Sequence, residues 1–299
     1  MLISKKDQNA LKKALTNKER GLWKDAWRRF KQNKAAMVSV VLLVLIVLFS
    51  VVVPIVAPHS YADTHWDHVL GAPSFHSGYW MGSDVLGRDL LTRTAIAGRV
   101  SLTVGILGAL MAVGVGTLYG AISGFLGGVV DAVLMRILDM LNAFPLMFFV
   151  ILLVAVFGRR IEFIFVAIGL FSWVDVARIV RGQTLGLKQK EFIEAARVNG
   201  LTSAQIIRKH IIPNVLGIVV VYTALLVPSM ILLESFLSFL GLGVQEPMTS
   251  WGALLQEGAQ NMQVALWELV FPSLFLMVTL FSFNFIGDGL RDALDPKMK

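Results

Sequence analysis

Six stretches of this 299-residue chain, 37–57, 100–123, 133–157, 161–180, 215–240 and 266–286, are almost wholly apolar. Each approaches the roughly 20 residues that an α-helix needs to cross a hydrocarbon layer. A segment in lipid must satisfy its backbone N–H and C=O groups internally, so runs of this length fold as helices. The composition agrees: 56% of residues are hydrophobic and the mean hydropathy is +0.70. An ordinary soluble domain is thereby excluded. The sequence predicts an all-α integral membrane protein with six transmembrane helices. Only Gly158-Arg159-Arg160 separates the third span from the fourth, which predicts a tight antiparallel hairpin.

Lysine and arginine set the orientation, because they accumulate on cytoplasmic flanks. Residues 1–36 hold eleven of them against three acidic residues. With both termini cytoplasmic, 22 of the 27 fall inside, leaving Arg88, Arg93, Arg99, Arg159 and Arg160 outside or at the outer interface. The net charge of +7 is therefore an orientation signal rather than a nucleic-acid footprint. Leu22, Trp23, Trp27 and Phe30, interleaved with Lys24, Arg28, Arg29 and Lys31, predict an amphipathic helix resting on membrane lipid. The polar start is long and no small-residue cleavage site follows, so the first span is expected to stay as an anchor. Cysteine is absent, which removes disulfide and thiolate chemistry.

The chain then divides into a cytoplasmic basic segment (1–36), a first transmembrane helix (37–57), an extracytoplasmic segment (58–99), a five-helix core (100–287) and a cytoplasmic tail (288–299). Four of the five histidines, His59, His65, His68 and His76, lie in the extracytoplasmic segment. The spacing His65-x-x-His68 puts two imidazoles on one helical face, but a metal site needs further ligands, and a solvated loop is the better reading. The run Gly82-Ser83-Asp84-Val85-Leu86-Gly87-Arg88-Asp89 lacks the lysine of a phosphate loop. Asp84, Arg88 and Asp89 are expected to pair and fix an interfacial turn. No catalytic constellation is visible, and no metal or cofactor is assigned to the chain.

The second span is rich in glycine (Gly105, Gly108, Gly114, Gly116, Gly120), which permits close helix approach, most simply within this subunit. Carboxylates in or beside apolar spans are costly and face protein or water. Asp139 and Asp175 have Arg136 and Arg178 for ion pairing. Glu234 sits deeper, six residues after Pro228, whose missing N–H can kink the fifth span. This pair is the candidate gate or path element.

Between the fourth and fifth spans lies a charged island, EFIEAARVNGLTSAQIIRKHIIPN, residues 191–214. Gly200 breaks a first short helix. Thr202 with Gln205 three residues on predicts a capping box that starts a second. That helix carries Ile206 and Ile207 as an apolar pair, and Arg208 and Lys209 complement its dipole. Pro213 suits the first turn of the next span. Ala195 and Ala196 allow another surface to approach, and Glu194 offers a carboxylate to a basic partner. Local physics alone leaves a lipid-surface helix as an equal alternative.

Glu194-Ala195-Ala196, three residues, Gly200 and an apolar tail closed by Pro213 resemble the EAA loop (191–213) of permease subunits of ABC importers. The resemblance extends along the chain. The GSDVLGRD run at 82–89 is similar to a signature of the peptide-importer branch, and LLESFLSFLGLGVQEP and FNFIGDGLRDALDPK point the same way. The chain thus resembles the C-type membrane subunit of bacterial oligopeptide importers, in the peptide/nickel permease family. His210 and Ile212 depart from the usual aliphatics of the loop. The resemblance implies a type I ABC importer permease fold in the bacterial inner membrane. It implies that Glu194, Ala195, Ala196, Gly200, Thr202, Gln205, Ile206 and Ile207 couple to an ATPase subunit. The partners implied are a second permease subunit, two ATPase subunits that bind ATP and Mg, and an extracytoplasmic peptide-binding protein. The chain itself would hydrolyse nothing. Dipeptides, glutathione and nickel complexes remain alternative cargoes, and an ion-coupled secondary transporter remains the rival class.

Overall fold

A computed structural model describes residues 22–158 and 161–294. The basic residues before Leu22, the Arg159-Arg160 connection and the last five residues of the expected tail lie outside the described residues, as do the side chains of residues 22–23, 161–167 and 170. The described chain is all-helical, with eleven α-helices. Four of these are long and apolar enough to cross a membrane, or five if one bent pair counts as a single span.

The first helix, α1 (Leu22–Gln32), is amphipathic as expected: Phe30 is buried while Trp27 is exposed. Asn33 caps the next helix, α2 (Lys34–Val56), by accepting from the Ala36 N–H at 3.1 Å. Pro54 lies inside α2 and cannot donate to the Ser50 carbonyl four residues back. Arg99 supplies the missing donor, Nε to Ser50 O at 2.6 Å and Nη2 to Val51 O at 2.8 Å. A charged side chain of one helix is thus used to close a gap in its neighbour.

The second expected span, 100–123, is the middle of a longer helix, α3 (Leu90–Leu126). Asp89 sets its start, taking the N–H groups of Leu91 and Thr92 at 3.4 and 3.0 Å. At 37 residues and about 1.5 Å of rise each, α3 is roughly 55 Å long and links the two ends of the molecule. Gly127, at φ +71°, ends it.

The third expected span, 133–157, requires correction. It is two helices, α4 (Gly128–Ala143) and α5 (Leu146–Phe157), bent by 73° at Phe144-Pro145. Proline bars its predecessor from the helical region, and Phe144 is extended at ψ 125°. The fourth expected span, 161–180, lies in α6 (Ile161–Lys188), which carries Glu162, Asp175 and Arg178 and is not among the helices apolar enough to count as a span. Two short helices follow, α7 (Glu191–Val198) and α8 (Ser203–Ile206). A π turn at Ile207–Ile211 carries α8 straight into α9 (Ile212–Phe239). A further helix, α10 (Trp251–Asn261), was not expected from the sequence, and α11 (Leu266–Leu294) closes the described chain.

The most extensive packing joins α3 to α6, with α9 laid along α3 and α11 against α2, α9 and α10. The α3–α6 contact runs along Gly116, Gly120 and Gly124. A β-carbon on Gly120 would stand 2.3 Å from the Ala177 carbonyl oxygen, and one on Gly116 2.6 Å from Val176 Cβ. The glycine-rich span is therefore spent on packing inside this subunit.

Candidate functional site

Residues 191–213 form an elbow built by local sequence. Helix α7 ends at Asn199, and Gly200 follows at φ +77°, a conformation that favours glycine. The expected capping box is present: the Gln205 N–H donates to Thr202 Oγ1 at 3.3 Å, and the Thr202 N–H donates to Gln205 Oε1 at 2.8 Å. The second helix differs from expectation. It is a single turn that does not end, because the π turn lets the Ile212 N–H reach back five residues to Ile207 O. Pro213, in the first turn of α9, has no N–H for the Lys209 carbonyl, and the π turn absorbs that loss.

The structure divides the eight sequence-predicted coupling residues into two sets. Ala196, Ile206 and Ile207 are buried, together with Ile193 and Ile211, in a cluster formed with Val113, Ala121 and Phe125 of α3 and Val176 and Val180 of α6. Glu194, Ala195, Gly200, Thr202 and Gln205 are exposed. The first set fixes the elbow to the helices that run through the molecule; the second set forms its surface. Beside that surface Val198 is 84% exposed, an apolar side chain that the sequence reading did not single out. Spacing alone does not single it out, because Phe192 and Ala195 also fall off the stripe of Ile193 and Ala196. Phe192 on α7 packs across to His210, ring centroids 6.3 Å apart, so the departure at His210 serves an internal contact.

At the opposite end of α3, the run 82–89 folds as expected around Asp84, though with different partners. The Asp84 carboxylate accepts from the N–H groups of Leu86 and Arg88 at 2.8 and 2.9 Å and from Arg88 Nε at 2.6 Å. Asp89 does not join this pair and acts as the cap of α3. The third member is Arg93, fully buried, which donates to Asp84 and holds Glu257 of α10 through two bonds of 2.6 and 3.0 Å. Arg88 also reaches Glu246 at 2.9 Å. Burial pushes the Asp89 carboxyl up from its ordinary value, against the bonds from Thr92 and Leu91 and the nearby His59. His59, His65 and His68 surround Tyr79, with ring centroids 4.5, 6.2 and 4.7 Å from it. His65 and His68 are thus packed against a ring, not free in a loop.

Glu234 is 1% exposed. Its carboxylate accepts from Ser101 Oγ of α3 at 2.9 Å and from Ser238 Oγ at 2.7 Å. Ser101 Oγ in turn accepts the first N–H of α10, from Trp251, at 3.2 Å, and the fully buried Trp251 ring donates to Thr94 O. Glu234 therefore sits at the junction of α3, α9 and α10 in this chain. Pro228 is buried in the same helix, which continues through it. Among the other carboxylates, Asp139 pairs with Arg178 at 2.9 Å, as expected. Asp131 and Arg181 form two bonds of 2.6 Å that the sequence reading missed, since 50 residues separate them.

Comparison with known proteins agrees with this architecture. Residues 116–299 match the family model described as binding-protein-dependent transport system inner membrane component, and residues 21–73 match the N-terminal TM domain of oligopeptide transport permease C. The chain is 61% identical over 300 residues to the oligopeptide transport system permease protein OppC of Escherichia coli K12, covering 99% of both chains. It is 60% identical over 278 residues to the protein of the same name from Haemophilus influenzae, covering 93% of this chain and 89% of that one. The dipeptide transport system permease protein DppC of Bacillus subtilis is 42% identical over 276 residues, covering 92% and 86%.

Proposed function

We propose that this chain, which belongs to the family of binding-protein-dependent transport system inner membrane components, is the membrane permease subunit of an ATP-driven oligopeptide importer. It forms the translocation path together with a second permease subunit in the bacterial inner membrane. Identities of 61% and 60% to two oligopeptide permeases favour oligopeptides as cargo. In this reading six spans cross the membrane, with the bent α4–α5 pair as the third and α6 as the fourth. Both termini and the 191–213 elbow lie in the cytoplasm. The 58–99 segment faces outward towards a peptide-binding protein. The chain is a transport subunit; ATP and Mg belong to two ATPase partners.

The observation that carries the reading is the two-sided elbow. Its surface of Glu194, Ala195, Val198 and Gly200 suits a docking groove, and its buried side of Ala196, Ile206 and Ile207 is locked to α3, α6 and α9. A push on the exposed side is delivered to the spans because packed helices shift between discrete arrangements and do not deform continuously. Pro228, which leaves the Ala224 carbonyl without its intrahelical donor, is the bending point of α9 in this scheme. Glu234 is the contact that α9 exchanges with α3 as the path opens. Normal assembly and transport by Glu234→Gln would remove it from the gate.

The test is peptide uptake by proteoliposomes holding the whole assembly, with Glu194→Ala, Val198→Asp and Gly200→Pro as variants checked for insertion. Loss of ATP-dependent uptake together with loss of ATPase co-purification is expected. Uptake by the native chain that needs no ATPase subunit and follows an ion gradient would replace this reading with a secondary transporter.

A further inference from the structure

At the end of α3 nearest the elbow, one buried ring collects two cations. Phe125, 4% exposed, has the Arg197 guanidinium carbon of α7 5.3 Å from its ring centroid and Lys188 Nζ, from the last turn of α6, at 5.9 Å. A cation within about 6 Å of an aromatic centroid is attracted by the ring quadrupole. The ring itself packs in the cluster that holds Ile193 and Ala196 of α7 and Ile206 and Ile207 of the next turns. Lys188 also lies over the α3–α4 break, its Nζ 3.2 Å from where a β-carbon on Gly127 would stand. Just beyond the break, Asp131 of α4 is clamped by Arg181 of α6 and by Ser123 of α3. Four helices, α3, α4, α6 and α7, therefore come together around the end of α3, and α7 reaches Phe125 through an exposed, charged side chain.

We propose that Phe125 is a positioning residue for energy coupling: its ring, gripped by Arg197 and Lys188, ties the docking helix α7 to the ends of α3 and α6, so that a displacement of α7 moves both spans. The inference rests on the importer reading above. The apolar cluster seats α7 in a discrete packing arrangement, and the cations add directional contacts to that seat. A cation held over a ring face has one preferred partner, and two cations on separate helices fix the ring in register with both. Leucine at 125 would keep most of the apolar fill and remove the π face. Glutamine at 197 would remove the cation while leaving an exposed polar side chain.

The experiment measures peptide imported per ATP hydrolysed by the complete complex in proteoliposomes, together with ATPase co-purification. The chains are native, Phe125→Leu, Arg197→Gln, Arg197→Lys and the Phe125→Leu/Arg197→Gln double variant. Phe125→Leu and Arg197→Gln are each expected to keep the ATPase bound and lower the ratio about 3- to 10-fold, in line with losing a partly buried cation–π contact of about tenfold at most. Arg197→Lys should retain most of the native ratio. The double variant should be no worse than the poorer single one, because Phe125→Leu already removes the contact that Arg197→Gln removes. Independent, multiplying losses in the double variant would overturn the proposal. So would a native ratio in Phe125→Leu, or a fall in uptake that only tracks lost ATPase binding. Failure of the importer reading is distinguishable, since the native complex would then import without ATP.

Discussion

Gly120→Ala measures how far the fold depends on the direct approach of α3 to α6. The added β-carbon would lie 2.3 Å from the Ala177 carbonyl oxygen, 2.9 Å from the Arg181 nitrogen and 3.0 Å from Val180 Cβ. Ordinary contact begins at 3.4 Å, so the shortfall against Ala177 is 3.4 − 2.3 = 1.1 Å. Two of the three obstacles are backbone atoms inside a helix and cannot rotate away. Helix α6 must retreat by about that distance, which also loosens the contacts at Gly116 and Gly124. Overpacking of this kind costs about 1–3 kcal/mol, or a roughly 5- to 150-fold fall in the ratio of folded to unfolded chain. Gly114→Ala, two turns earlier in α3, is the control. A β-carbon there meets nothing within 4 Å, so only the gain in helix propensity is felt, up to about 1 kcal/mol of stabilisation. Thermal unfolding of the purified chain in detergent, followed by the monodisperse fraction on size exclusion, compares the two variants under one solvent condition. Gly120→Ala should melt well below Gly114→Ala. Equal melting of the two would refute the claim that α3 and α6 meet backbone to backbone.

Arg93→Met should destabilise the chain by about 3–5 kcal/mol, because it strips a fully buried cation from Asp84 and Glu257, whereas Arg178→Met, from an exposed pair with Asp139, should cost under about 1 kcal/mol. The same melting assay separates them, and similar losses would place the buried network among dispensable contacts. Gly200→Ala should cost about 1–2 kcal/mol from the left-handed backbone alone, since nothing lies within 4 Å of the new β-carbon, with Gly200→Asn less severe. Equal melting of Ala and Asn variants would contradict a backbone origin. Asp89 is held above its ordinary carboxylate value, so the folded state binds its proton more tightly than the unfolded chain. Its contribution to stability should fall as pH rises from that ordinary value through the raised one. Asp89→Asn keeps the cap of α3 and should flatten this part of the pH profile, and an unchanged profile would assign it to other groups.

Much of the candidate site was legible because its signals are local. Gly200, the Thr202–Gln205 box and Pro213 act within one or two turns, and the structure uses each of them. The 73° bend at Pro145 was equally local, but the apolar run around it reads as one span by hydropathy, which averages over a break. The division of the elbow into a buried and an exposed side was only partly legible. Ile206 and Ile207 read as an apolar pair, yet the exposure of Val198 follows from where α7 lies against α3 and α6.

The sequence by itself determined the apolar, all-helical character of the chain and the elbow that joins α6 to α9, since hydropathy, capping and glycine or proline backbone preferences need no distant partner. The tertiary structure decided the rest: that Gly116, Gly120 and Gly124 of α3 face α6, that Arg93 meets Glu257 across 164 positions, that Trp251 seats α10 on α3, and that Phe125 lies between Arg197 and Lys188. Apolar spans are nearly interchangeable in a pattern of hydrophobicity, and lipid gives no one of them a preferred neighbour. Only close packing and the need to satisfy buried polar groups select which helix meets which, and both operate between residues that the sequence holds far apart.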